Sequence, residues 1–407
     1  MRSSTEKRTA WVHVWLPGRA EPALCGRLRE RDRQLLFSYA PGYLGLTGAI
    51  ALDPVELPLG RGRSTPPGGE LHSALRDASP DAWGRRVQLA RIGGVALDEL
   101  GFLLGAGPDR IGALAVTSAP TPSTEEAAGN ATLEELMTAA QHVEAGVPMT
   151  EALAAALLHG TSIGGARPKA LLDEPDRRWI AKFSSSSDHF PVVGAEHAAM
   201  VLAAQCGLTV PAVRGLRCLG RDVLLVERFD RTPLGGGRWA RRHLLSGLTV
   251  LRLHESEASL ASYLDLAGAL RQRARDPARD LRELFRRMVF NLLVGNTDDH
   301  ARNHSVFWDG SRFDLTPAYD ICPSLRAGRT TSQAMVVGTD GRRSTLRNAC
   351  SEAGLFGLDS TEARRLCDEL VEQVRVLWPE AADLAGLTRQ DRERLERETV
   401  LGPGCFE

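Results

Sequence analysis

Over the first sixty positions, apolar residues come in short blocks broken by Gly and Pro. Trp11-Val-His-Val-Trp-Leu16, Leu35-Leu-Phe-Ser-Tyr39 and the run 48–60 (GAIALDPVELPLG) predict strands joined by turns. Helical spacing takes over in 80–104, and 112–116 reads as one more strand. Thr117-Ser-Ala-Pro-Thr-Pro-Ser-Thr-Glu-Glu126 has no aromatic residue and little to bury, so it predicts a linker. Thr132-Leu-Glu-Glu135 has capping-box spacing, and Leu133, Leu136, Met137 and Ala140 follow as the stripe of a half-buried helix. Strands are expected at 169–172, 178–183, 212–219 and 221–228, with a helix at 195–206 between them. Beyond 245 the pattern is helical. Its clearest stripe is Leu281, Leu284, Phe285, Met288, Val289, Leu292 and Leu293, which runs directly into Gly295-Asn-Thr-Asp-Asp-His300. A charged helical tail fills 361–399, and no internal repeat is visible.

These elements predict a mixed α/β (α+β) protein. A small β-rich N-terminal module (1–125) would precede a bilobal, protein-kinase-like domain, with an N-lobe at 126–235 and a mostly helical C-lobe at 236–407. A length of 407 residues suits two or three domains. Charge narrows the partners: 50 basic side chains face 51 acidic ones, a net charge of -1. That balance excludes a nucleic-acid or membrane binder working by bulk charge. No apolar run has membrane-spanning length and no signal peptide is recognisable, so a cytoplasmic location without membrane contact is expected. The seven cysteines are scattered without CxxC or zinc-finger spacing and are read as buried or incidental thiols.

The candidate chemistry lies in 296–303. Asp298 and Asn303 have the D-x4-N spacing of a kinase catalytic loop, where the Asp orients the acceptor hydroxyl and the Asn holds magnesium. Asp320, beyond a short hairpin, stands where a second magnesium ligand would sit. Read alone, the same residues could simply cap a helix, and His300 with His304 could hold a transition metal for hydrolysis. Further signals favour phosphoryl transfer. Lys182 ends an alternating strand, with Glu196 on the next helix as its candidate acidic partner. Gly160-Thr-Ser-Ile-Gly-Gly-Ala-Arg-Pro-Lys169 is a glycine-containing turn before a strand, suited to backbone contact with phosphate. Glu227 and Phe229 end an apolar strand, as in a kinase hinge.

Seven runs together resemble the HipA-type serine/threonine kinases, toxins of bacterial toxin–antitoxin pairs. They are Ser162-Ile-Gly-Gly-Ala-Arg-Pro-Lys-Ala170, Trp179-Ile-Ala-Lys182, Gly194-Ala-Glu-His197, Gly207-Leu-Thr-Val-Pro211, Val226-Glu-Arg-Phe-Asp-Arg231, Asn296 to Asn303 and Leu315-Thr-Pro-Ala-Tyr-Asp320. They span about residues 160–325, and Pro80-Asp-Ala-Trp-Gly-Arg-Arg86 resembles the family's amino-terminal module more loosely. The resemblance implies ATP and Mg2+ as cofactors and Asp298 as catalytic base, with Asn303 and Asp320 on the metal. It places Lys182, Glu227, Phe229, Ile163, Gly164, Gly165, Ala166 and Lys169 on the nucleotide and Ser162 as an autophosphorylation site that switches the enzyme off. It also implies a protein substrate such as an aminoacyl-tRNA synthetase, a helix-turn-helix antitoxin, and operator DNA reached mainly through that antitoxin. Two positions depart from the pattern: Arg167-Pro168 replaces the Gln-Glu of the best-known members, and Asp299 replaces the Gly of some. A small-molecule phosphotransferase of kinase-like fold and a non-catalytic nucleotide-binding regulator are the rival expectations.

Overall fold

The computed structural model describes residues 8–121, 131–148, 150, 153–154, 157, 165–325 and 331–407. The chain divides into two compact units, each assembled from separate stretches of sequence. One comprises Met1–Ser185, Arg228–Leu245 and Trp308–Ser311; the other comprises Ser186–Glu227, Ser246–Phe307 and Arg312–Glu407.

In the first unit, β1 (Thr9–Trp15), β2 (Pro22–Arg31), β3 (Gln34–Tyr39) and β4 (Leu114–Thr117) form an antiparallel sheet in the order β3-β2-β1-β4. Period-2 alternation turns Ala10, Val12 and Val14 of β1 into a core shared with Cys25, Leu28, Phe37, Leu114 and Val116. The ten-residue β2 has no counterpart among the strands expected from sequence. Its Pro, Gly and four charged residues hide the strand signal, because Cys25 and Leu28 are its only fully buried core side chains. The run 48–60 shows the opposite error. It is buried through Ile50, Leu52 and Leu57 but forms no strand beyond an isolated Asp53–Leu57 bridge. Two tyrosines explain this. Tyr43 Oη donates to Ile50 O at 2.8 Å and accepts from Ile50 N, while Tyr39 Oη accepts from Leu52 N at 2.9 Å and donates to Leu57 O. Side-chain hydroxyls thus satisfy backbone groups that would otherwise need a neighbouring strand.

The expected helical stretch 80–104 is two helices, α1 (Ala82–Arg91) and α2 (Glu99–Gly105). The expected capping box opens α3 (Leu133–Ala145), with Thr132 and Glu135 bonded reciprocally. Leu136, Met137 and Ala140 are buried as predicted, whereas Leu133 is only half-buried. The strands β5 (Lys169–Glu174) and β6 (Arg177–Phe183) pair antiparallel.

Residues 228–245 join this unit through a buried ionic network. Asp230 bonds Arg228 Nε at 3.0 Å, Arg231 Nη1 at 2.8 Å and the amide of Gly112 at 2.6 Å. Asp109 takes Arg228 Nη1 at 2.9 Å and Arg231 Nη2 at 2.5 Å. Arg110, fully buried, donates to the carbonyls of Ala78, Leu103 and Ala106.

The second unit holds α4 (Val192–Gln205), the antiparallel pair β7 (Val213–Cys218) and β8 (Arg221–Glu227), then α5 (Tyr263–Arg273), α6 (Pro277–Val294), α7 (Ser360–Leu384) and α8 (Arg389–Glu398). Asp276 caps α6, Pro277 starts it, and Gly295 ends it in the left-handed region at φ 70°, where a Cβ would be strained. All seven residues of the predicted α6 stripe are buried.

Burial alone would raise the carboxyls of Asp109 and Asp230, but the Arg228 and Arg231 guanidinium groups outweigh it and hold both below the usual carboxylate range. Their stabilisation is complete above the unfolded value of about 4 and is lost as pH falls below it. Asp230→Ala, which removes one of the two carboxylates shared by the buried Arg228 and Arg231 guanidinium groups, is expected to cost about 3–5 kcal/mol in urea unfolding at neutral pH. It should also flatten the loss of stability below about pH 4.

Candidate active site

Helix α6 delivers the 296–303 segment. Because Gly295 turns the chain sharply, the two adjacent carboxylates face different surroundings: Asp298 is exposed and Asp299 is buried. Asp299 Oδ2 accepts from Asn291 Nδ2 of α6 at 2.7 Å, from His304 Nε2 at 3.0 Å and from the Tyr263 hydroxyl of α5. Asn296 Nδ2 extends the cluster to Asn291 Oδ1 at 3.1 Å. The loop is therefore pinned from beneath by its second Asp, leaving the first at the surface. Sequence reasoning reads Asp299 as a candidate helix cap and as a departure from the family pattern, and passes over Asn291 and Tyr263. The signal available was a polar Asn at the buried C-terminal end of an apolar helix.

Asn303 closes a one-turn 3-10 helix, Ala301–Asn303, and its Nδ2 approaches Asp298 O at 3.4 Å. Its amide oxygen is thus the atom a hard cation would use. Asp320 lies in the left-handed region at φ 61°, uncommon for a residue with a Cβ. Its neighbour Tyr319 donates to Arg302 O at 2.7 Å and pairs with Ser305 Oγ at 2.6 Å, and Ser324 N bonds Gly295 O at 3.0 Å. The Asp320 segment is thereby fastened to the loop that carries Asp298 and Asn303. Asn303 and Asp320 carry hard oxygen atoms of the kind that magnesium prefers. Glu196 is buried on α4, and Glu227 is half-buried at the end of β8.

The other expected nucleotide residues lie in the first unit. Lys182 of β6 is directly opposite Lys169 of β5, so both side chains share one face of the pair. Lys169 is buried, and its Nζ bonds Asp81 Oδ2 at 3.3 Å. Gly165 has φ 95°, and a Cβ there would stand 2.9 Å from Lys169 Nζ. The backbone conformation requires glycine, whereas the flexible end of Lys169 can give way to a Cβ. Trp83 Nε1 donates to Lys169 O at 3.0 Å, and Asp81 Oδ1 also caps α1 through Gly84 N at 2.6 Å. The run Pro80-Asp-Ala-Trp-Gly84 thus buttresses the strand that follows the glycine turn. Gly165 and Ala166 are exposed; Ser162, Ile163 and Gly164 lie outside the described residues. Phe229 is half-buried between the networked Arg228 and Asp230.

The expected metallohydrolase pair is drawn otherwise. His304 is buried and directed at Asp299, and no group of three or more His, Cys, Asp or Glu among the described residues is arranged to hold a metal ion. Nor, among them, is any helix long and apolar enough to cross a membrane.

A model of the HipA N-terminal domain matches residues 12–117, and one of the HipA-like C-terminal domain matches residues 161–378. The chain belongs to the HipA family. The serine/threonine-protein kinase toxin HipA of Shewanella oneidensis is 28% identical over 183 residues, 39% of this chain and 42% of that protein. Y4mE of Sinorhizobium fredii, whose name places it among kinases, is 30% identical over 221 residues, 50% of each chain. The chain thus spans about half or less of the length of these relatives. A solved Shewanella oneidensis HipA, from a complex with HipB and operator DNA, has the same fold over 95% of this chain and 94% of its own, with a TM-score of 0.68 at 19% identity. The HipA resemblance and the mixed α/β class inferred from the sequence agree with these matches.

Removing the Asp299 carboxylate leaves three buried donors without their acceptor. Asp299→Ala is expected to cost about 3 kcal/mol in chemical denaturation and Tyr263→Phe about 1 kcal/mol. The double variant should fall short of the sum of the two, because both changes break the same bond.

Proposed function

We propose that this HipA-family chain is an ATP- and magnesium-dependent serine/threonine protein kinase. The observation that carries this reading is the loop at the end of α6: an exposed Asp298 on a segment anchored by buried Asp299, with Asn303 five residues on and the Asp320 segment bonded to the same loop. In this reading Asp298 orients the acceptor hydroxyl and accepts its proton. Asn303 and Asp320 hold magnesium, which neutralises charge on the phosphates when bound. Lys182 and Lys169, on one face of a strand pair beside a glycine turn, supply cations for the nucleotide phosphates, with Gly165 and Ala166 contributing backbone. Glu196 is the acidic partner proposed for Lys182. Backbone around Glu227 and Phe229 contacts the base, and Ile163 and Gly164 complete the phosphate turn.

The same reading makes the protein a growth-arresting toxin with a protein substrate such as an aminoacyl-tRNA synthetase. A helix-turn-helix antitoxin would be its partner and its link to operator DNA, and Ser162 would be the residue whose autophosphorylation turns it off. A phosphate at Ser162 would add about -1.5 to -2 charge beside the glycine turn and compete with nucleotide for the same cations. A cytoplasmic location and a domain division at 125 and 235 belong to this reading as well.

Asp298→Asn is expected to lower phosphoryl transfer by about 10²–10⁴-fold while leaving binding of a slowly hydrolysed ATP analogue near the parent value. Asp320→Asn should weaken magnesium-dependent nucleotide binding itself, as isothermal calorimetry would show. Parent-like transfer by both variants refutes the kinase assignment. Loss of transfer in His300→Ala and His304→Ala, but not in Asp298→Asn, would favour the hydrolase instead.

Incubation of the purified parent with magnesium and ATP should add one phosphate to the Ser162 peptide, and Asp298→Asn should add none. Expression of the parent alone should slow bacterial growth and Asp298→Asn should not. Phosphate transfer to a small molecule with no phosphate at Ser162 would point to the small-molecule phosphotransferase.

A further inference from the structure

Among the seven cysteines, two meet. Cys350 Sγ, in the short helix Leu346–Ser351, lies 3.5 Å from Cys367 Sγ on α7. Sixteen residues of chain separate them, so the contact is tertiary. Their exposures differ usefully. Cys350 is half-buried and Cys367 is buried, so Cys350 is the more accessible of the two. Both are free thiols.

We propose that Cys350 and Cys367 are a redox-active dithiol, with Cys350 the attacking thiol and Cys367 the resolving one, and that hydroperoxides are its oxidant. The Cys350 thiolate attacks the O–O bond of a hydroperoxide, forming an S–O bond and releasing hydroxide or alkoxide, which takes up a proton as water or alcohol. Cys367 sulfur then attacks the sulfenic sulfur of Cys350, an S–S bond forms, and the sulfenic oxygen leaves as water with the Cys367 proton. Two thiols lose two electrons and two protons in all, and the peroxide oxygens end as one water and one water or alcohol. The geometry favours this order. The sulfurs lie within hydrogen-bond reach and either can donate; with Cys367 as donor, its hydrogen bond and then Arg364 favour the Cys350 thiolate against burial and Asp368, which holds Cys350 below the usual thiol range. The same hydrogen bond and burial push Cys367 up.

The bond would tie the helix Leu346–Ser351 to α7. That helix carries Asn348, whose Nδ2 bonds Gly341 O at 3.0 Å and Arg343 O at 2.9 Å, and whose Oδ1 accepts from Asp340 N at 2.8 Å. The strap so held includes Ala334, whose amide bonds Thr297 O of the loop beneath Asp298 at 3.1 Å. The proposal does not depend on the kinase reading, since its readout is covalent.

The purified full chain, titrated with hydrogen peroxide and then alkylated, is examined by intact-mass and peptide mass spectrometry without reduction. The expected result is loss of two hydrogen atoms and a cross-linked peptide pair joining Cys350 to Cys367. That pair should be reversed by dithiothreitol and absent from Cys350→Ser and Cys367→Ser. Peroxide-treated Cys367→Ser should instead accumulate a sulfenic acid at Cys350 that dimedone traps. The proposal is overturned if the parent gains oxygen without the cross-link, if the bridge joins other cysteines, or if dimedone labels Cys367 in Cys350→Ser but leaves Cys350 unlabelled in Cys367→Ser.

Discussion

Two carboxylates, half-buried Asp109 and fully buried Asp230, hold together parts of the chain that are more than a hundred residues apart. Each faces the guanidinium groups of Arg228 and Arg231, and Asp230 also takes the Gly112 amide. Ionic groups this deep are tolerated only when each is paired and hydrogen-bonded, since desolvation costs several kcal/mol per ion. Arg110 bonds backbone carbonyls through its terminal nitrogens while its Nε has no partner, and Arg241 lies over the Trp15 ring at 3.6 Å. The consequence is topological. Residues 228–245 belong to the same compact unit as the N-terminal sheet. Phe229 is caught between two members of the network, so any role it has in nucleotide contact depends on that ionic frame.

A second constraint operates below the 296–303 loop. The end of α6 is apolar nearly all round, yet it carries Asn291. That residue joins the Asp299 carboxylate, with Tyr263 and His304, into one buried polar cluster. Such a cluster has few alternative arrangements, because each displaced bond leaves a group unsatisfied. It fixes which of two neighbouring carboxylates reaches solvent. Asp320 adds local strain at φ 61°. Its segment persists there because Tyr319 and Ser324 bond back to the loop.

The N-terminal module reaches Lys169 through a short motif. Asp81 and Trp83 both act on Lys169, one through its ammonium group and the other through its carbonyl. The HipA N-terminal match ends at residue 117 and the C-terminal match begins at 161. A contact across that division within one compact unit ties the module to the start of β5, beyond covering a core.

Much of this was legible from residue types and spacing. The stripe of α6 and the capping box of α3 were readable because periodicity and caps are local properties of the chain. The seven kinase-like runs, in order, were enough to indicate the HipA family. Other features were beyond local reading. The β2 strand carries few apolar residues and exists because its neighbours pair on both sides. The 48–60 run looks like a strand, but two tyrosine hydroxyls take its backbone bonds. Asp298 and Asp299 are the same residue type side by side, and only the turn at Gly295 and the donors below decide which is buried. The Cys350–Cys367 contact and the Asp109–Asp230 network each join side chains from separate elements. No sequence interval announces them, because their energy comes from burial and pairing that exist only once the chain has folded.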